Sequence, residues 1–131
     1  MATAHLQTRE ISPDQWVEFL DGLSRDLRGQ PVSVRFSDPE LGYQIEMQQI
    51  PLVGVSADLK AGGGPRIEVM VGRTDFDHTT HSVFDPKAVR LEQDDQGRPQ
   101  VLEFESSGGR KTLVTLKPAD FGEPGELVQQ G

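Results

Sequence analysis

Two histidines and three aspartates stand close together at Asp75, Asp77, His78, His81 and Asp85. Imidazole and carboxylate groups are the ligands that zinc and other divalent cations take. Asp75, Asp77, His78 and His81 form the candidate metal set, and a turn between the histidines would make them converge. On a regular strand, a separation of three residues sends His78 and His81 to opposite faces. They are then ordinary surface histidines of a polar loop and edge strand, so local backbone geometry decides between the readings.

Nucleophilic chemistry has less to build on. Gly54-Val55-Ser56-Ala57-Asp58 approaches the nucleophile-elbow pattern but lacks its final glycine. It also lies among strand-forming residues, without the strand-to-helix turn that exposes a reactive serine. Ser56 then belongs to a closely packed strand, with Asp58 accepting N–H groups from the adjoining glycine turn. Gly62, Gly63 and Gly64 have amides suited to a phosphate, but the run has neither the Walker spacing nor its lysine-serine ending, and it reads as a turn. With no cysteine there are no disulfides, thiolate metal sites or thiol catalysis. No nucleophile, base and oxyanion set assembles, so no catalytic residue and no cofactor-binding residue is assigned. The one cofactor these residues suggest is a divalent metal at the histidines.

The elements that must position these groups are legible from periodicity. Ser12 is placed as an N-cap, Pro13 at the first helical position and Gln15 as the partner in a capping box, with Ile11 set to staple against Trp16. Trp16, Phe19, Leu20, Leu23 and Leu27 then make one apolar stripe, predicting a helix from about Pro13 to Arg28 that ends at Gly29. Val32, Val34 and Phe36 alternate with polar residues, as do Tyr43, Ile45 and Met47, predicting two strands. The β-rich runs Pro51–Leu59 and Arg66–Gly72 flank the glycine cluster and read as a central hairpin, Pro51 opening either a new strand or the same one after a bulge. Arg73 to Asp77 reads as loop, and His78 to Phe84 as a short strand. Ala88–Gln93, Val101–Ser106 and Thr112–Lys117 form a meander.

Strands without intervening crossover helices exclude a parallel α/β sheet. The expected fold is α+β: one N-terminal amphipathic helix packed on a curved antiparallel sheet or partial barrel of about six to seven strands. A length of 131 residues fits one core. Residues 1–8 are expected as a flexible N-terminus, 9–118 as a single domain and 119–131 as a tail without fixed structure, although Phe121, Leu127 and Val128 have the character of a short docking peptide.

A formal charge of −8, from 21 acidic against 13 basic residues, repels polyphosphate and anionic lipid. Neither nucleic acid nor membrane is therefore an expected partner. No signal-peptide core or long apolar run is present, which predicts a cytoplasmic protein. Glu46, Glu68, Glu92, Glu103 and Glu105 alternate with inward apolar residues and are expected on the outer face, solvated or docking a basic partner. Leu52, Met70 and Val114 do not fit the inward face; they are covered by the helix or by a second layer of a closed barrel or, if exposed together, form an apolar patch for a partner or a homodimer.

The opening Arg9-Glu10-Ile11-Ser12-Pro13-Asp14-Gln15-Trp16, the block Pro51–Lys60 and the run Val89–Gln93 resemble a small bacterial family of uncharacterised proteins, catalogued only as a domain of unknown function. The resemblance spans about Arg9 to Leu116 and implies a bacterial one-domain protein, with no functional residue to carry over. A helix followed by a bent meander is also similar in element order to Sm-like and other small-barrel folds. The acidic loops here do not match the basic loops of those RNA-binding proteins. The expected function is a non-enzymatic binding or interaction module acting through a sheet face or edge. The alternatives are a small metal-dependent protein or hydrolase centred on His78 and His81 and, against its charge, a small-barrel nucleic-acid binder.

Overall fold

The computed structural model describes residues 6–40, 42–60, 62–74 and 77–116, with residues 43–46 and 74 described by backbone alone. In chain order these form β1 (Gln7–Ile11), a 3-10 turn (Pro13–Gln15), α1 (Trp16–Leu27), β2 (Pro31–Asp38), β3 (Gly42–Asp58), β4 (Arg66–Thr74), β5 (Asp77–Phe84), β6 (Pro86–Gln93), β7 (Pro99–Ser106) and β8 (Lys111–Thr115). Every pairing is antiparallel, in the order β1-β6-β7-β8-β2-β3-β4-β5. The α+β expectation holds, with eight strands among the described residues in place of six to seven.

The additional strand is β1, which pairs with β6 from Gln7 against Gln93 to Ile11 against Val89. Gln7 and Thr8 thus lie in a strand, while the expected tail, 119–131, lies outside the described residues. Arg73 and Asp77 likewise fall within β4 and β5, because antiparallel pairing carries both strands beyond the apolar residues that mark them in sequence.

The apolar stripe does turn inward: Trp16, Leu20 and Leu23 are buried, and Phe19 and Leu27 pack partly against the core. The expected capping box does not form. Ser12 makes no side-chain cap; the first turn tightens to 3-10, and the Gln15 N–H bonds to the Ser12 carbonyl at 2.8 Å. Trp16 secures the chain entry, its indole N–H donating to the Ile11 carbonyl at 2.9 Å while both side chains are buried.

Two interior rows cross the larger leaf of the sheet. One runs Ile11, Val89, Phe104, Thr112, Phe36; the other runs Leu91, Leu102, Val114, Val34. A smaller leaf, the second half of β3 with β4 and β5, contributes Val55, Val69 and His81 in one row and Ala57, Ile67 and Val83 in the next. Contact of His81 with Phe36 and Thr112 shows that the leaves face one another.

Two bends make this fold-over. The first is in β3, a single 17-residue strand whose register shifts between Val32 and Arg35 of β2 and again between Leu52 and Gly54, with Gln49 at φ 51°. These irregularities reset alternation, so Leu52 is buried, and Val114 is buried in the β8 row; both are covered and do not form a patch with Met70. The second bend is at Asp85, φ 53°, between β5 and β6. Its N–H donates to the Pro65 carbonyl at 3.1 Å, and its own carbonyl accepts the Ser107 N–H at 3.2 Å. Asp is among the few residues that tolerate this conformation, because its short side chain bonds locally. The β3–β4 hairpin turns through Gly63 and Gly64 at φ 93° and 109°, as their sequence implies.

Beyond the bend, β3 has β4 on one side and, among the described residues, no strand on the other. Helix α1 closes that side through Ser24. The Val55 N–H donates to Ser24 Oγ and the Ser24 hydroxyl donates to the Val55 carbonyl, each at 2.7 Å. The Gly29 N–H donates to the Leu52 carbonyl at 2.8 Å, and the Leu52 N–H to the Gln30 carbonyl at 2.9 Å. A hydroxyl and the residues after the helix thus take the role of a ninth strand.

Candidate functional site

The residues singled out by sequence chemistry separate in space. β5 is regular, so His81 faces inward with Val83 while His78 turns to the other side. His81 Nε2 lies 3.2 Å from Thr112 Oγ1, and its ring meets Phe36 edge-on at 5.6 Å. His78 borders a different depression, with Arg28, Gly72 and Arg73. Asp77 is exposed, and Asp75 lies outside the described residues. Among the described residues, no group of three or more His, Asp or Glu side chains is placed to hold a metal ion. Asp85 has its own employment at the corner: bonding to the Ser107 side chain, then to Lys87, whose ammonium is 3.4 Å away, holds its carboxyl below the usual range. Ser56 is exposed on β3, away from these histidines.

Several acids of the outer face are paired with arginine. Arg90 on β6 sends Nη1 to Glu103 Oε2 at 2.7 Å and to Glu105 Oε1 at 2.8 Å, while its Nε lies 3.6 Å from Glu10 Oε1. Its hydrogen bond holds the Glu105 carboxyl below its ordinary range, and the same bond raises Arg90. Glu68 pairs with Arg66 at 3.5 Å. The side chain of Glu46 lies outside the description. Acids on one face of a sheet are legible from alternation, but the cross-strand arginine that neutralises them becomes visible only once register is known.

A cleft of about 380 Å³ opens where the end of β5 faces β2, β8 and the β7–β8 turn. Its inner wall is Phe36, His81 and Thr112, the last being the one buried polar side chain among the described residues, 3 % exposed. Thr112 is satisfied by His81, and His81 is oriented by both Thr112 and Phe36, so the floor is preorganised. At the mouth, Arg110 Nε meets Asp38 Oδ2 at 3.1 Å. Phe84, 64 % exposed, stands on the rim. Phe36, Arg110 and Thr112 carry no sequence signal of function, since the strands that bring them to β5 are distant in the chain.

Three elements therefore offer an apolar wall, an ion pair and hydroxyls beside a terminal strand. That is suited to holding an amphipathic group. Among the described residues, no helix is long and apolar enough to cross a membrane.

Comparison with known proteins adds kinship. An uncharacterised protein of Aquifex aeolicus is 29 % identical over 114 residues, covering 87 % of this chain and 96 % of that one. No solved structure matches the chain. The family of unknown function DUF5335 matches residues 7–124, nearly the whole of the described fold, and the chain belongs to that family.

Proposed function

We propose that this is a non-enzymatic, cytoplasmic binding module that takes an extended segment of a protein partner along the outer side of β5, with one partner side chain entering the cleft at Phe36 and His81. One observation carries the reading: β5 ends the sheet, pairs only with β4 among the described residues, and runs directly along the cleft. An exposed strand edge is a template for another strand, main-chain bonds giving affinity and adjoining pockets giving specificity.

Comparison of edges favours β5. β1 is five residues long and carries Arg9 and Glu10, the short, charged form that discourages pairing. The unpaired side of β3 is occupied by Ser24 and the residues that follow α1. β5 spans eight residues, Asp-His-Thr-Thr-His-Ser-Val-Phe, with no lysine or proline to blunt it. The exposed Phe84 supplies an apolar anchor at its end. The arginine pairing on the outer face makes docking there by charge alone the weaker reading.

Selection of binding peptides from a random displayed library, followed by affinity measurement, tests this. Selected peptides should lose at least about tenfold in affinity to Phe84→Ser, since a central aromatic anchor carries on the order of 2 kcal/mol. Peptides that bind Phe84→Ser and Arg110→Gln as well as the parent chain would count against the β5 site.

A further inference from the structure

On the other side of β5, around Gly72, the electrostatics reverse. Arg28 follows the last turn of α1, Arg73 lies near the end of β4, and His78 is on β5 opposite Gly72. The three border one groove of about 260 Å³ whose floor includes Leu52 and Gly72. No carboxylate side chain lines it among the described residues. Asp77, next along β5, belongs by alternation to the opposite face of the strand. In a chain of net charge −8, two guanidiniums and an imidazole brought together from three elements make a local cationic site.

Gly72 builds this groove by the lack of a side chain. A Cβ at position 72 would overlap the Asp77 carbonyl oxygen and sit 2.8 Å from His78 Cδ2, so glycine is what lets the His78 ring lie directly over β4. Among the described residues, Arg73 makes one marginal side-chain bond, its Nη2 being 3.5 Å from the Gln49 carbonyl.

We infer that this groove binds a small dianionic oxyanion, a phosphate or phosphate-monoester group, between Arg28, Arg73 and His78. Guanidinium forks match the paired oxygens of such a group, and the imidazole adds a further donor. The volume is below the roughly 300–1,000 Å³ of clefts that take drug-sized ligands, which limits the occupant to a compact anion. The surrounding negative charge disfavours a long polyphosphate chain, so the source is a small molecule and not nucleic acid.

An amide-resolved NMR titration of the full chain at constant ionic strength tests the inference. Its arms are inorganic phosphate, phenyl phosphate, acetate and a short single-stranded oligonucleotide. Phosphate and phenyl phosphate should give saturable shifts centred on Arg28, Gly72, Arg73 and His78, and acetate and the oligonucleotide should not. Arg28→Gln and Arg73→Gln, both at exposed positions, should each weaken phosphate binding at least about tenfold, while Phe84→Ser leaves it unchanged and so separates this site from the β5 edge. Shifts that do not saturate, that spread over the surface, or that survive in the double arginine variant would overturn the proposal, as would tighter binding of the oligonucleotide.

Discussion

Ser24 is the residue whose loss should be felt most for its size. Its hydroxyl both donates to and accepts from Val55, closing the side of β3 that no strand covers among the described residues. Ser24→Ala strands two partly buried backbone groups, at a cost of about 1–3 kcal/mol in urea unfolding. A loss below a few tenths would mean that water replaces the hydroxyl without penalty. Gly72→Ala tests a different force. Its φ is ordinary, so the penalty is steric, and separating β4 from β5 to make room costs about 1–3 kcal/mol, with shifts at His78 as the local signature. An unchanged stability would show that the two strands are looser than their register implies.

Among the elements, the paired strands of the outer face share the pH dependence with the β5–β6 corner and the β6–β7 turn. The carboxyls of Glu105, Asp85 and Asp94 are each held below their ordinary range, chiefly by bonds from Arg90, from Ser107 and from the Arg98 backbone N–H respectively. A carboxyl that is more acidic when folded binds fewer protons than in the unfolded chain. Its contribution is therefore complete above the ordinary carboxylate range of about 4 and fades as pH falls through the folded value. Stability should decline on acidification below about pH 5, and Arg90→Met should flatten that decline by removing the partner of Glu105. An unaltered profile in Arg90→Met would assign the dependence to the Asp85 corner and the Asp94 turn. Helix α1 was legible from sequence because its stripe is a local property: Trp16, Leu20 and Leu23 repeat at the helical period whatever they pack against. β1 was not, because four of its five residues are exposed and its strand character comes from β6. The burial of Leu52 off the inward alternation has a related reason, the register shift between Leu52 and Gly54, which a count by twos does not locate.

On the scale of the whole molecule, the fold is a single sheet bent twice so that its smaller leaf lies over its larger one, leaving β5 as a long unpaired edge among the described residues. The histidines drew attention in sequence to the right strand for a different reason. Their spacing of three, which would pair them only across a turn, gives in a regular strand one inward ring that orients the cleft and one outward ring over Gly72. The neighbours of each, Thr112 and Phe36 beside one ring and Arg28 bordering the groove of the other, come from elements that only the tertiary fold assembles; Asp38 and Arg110, at the cleft mouth, lie 72 residues apart. Amide hydrogen exchange across β5, measured with and without a library-selected peptide, tests the central claim most directly. Strand addition predicts that Asp77–Phe84 amides facing away from β4 exchange readily in the free protein and become protected when the peptide binds. Protection appearing on β1 or across the outer face of β6 and β7, with β5 unchanged, would contradict it.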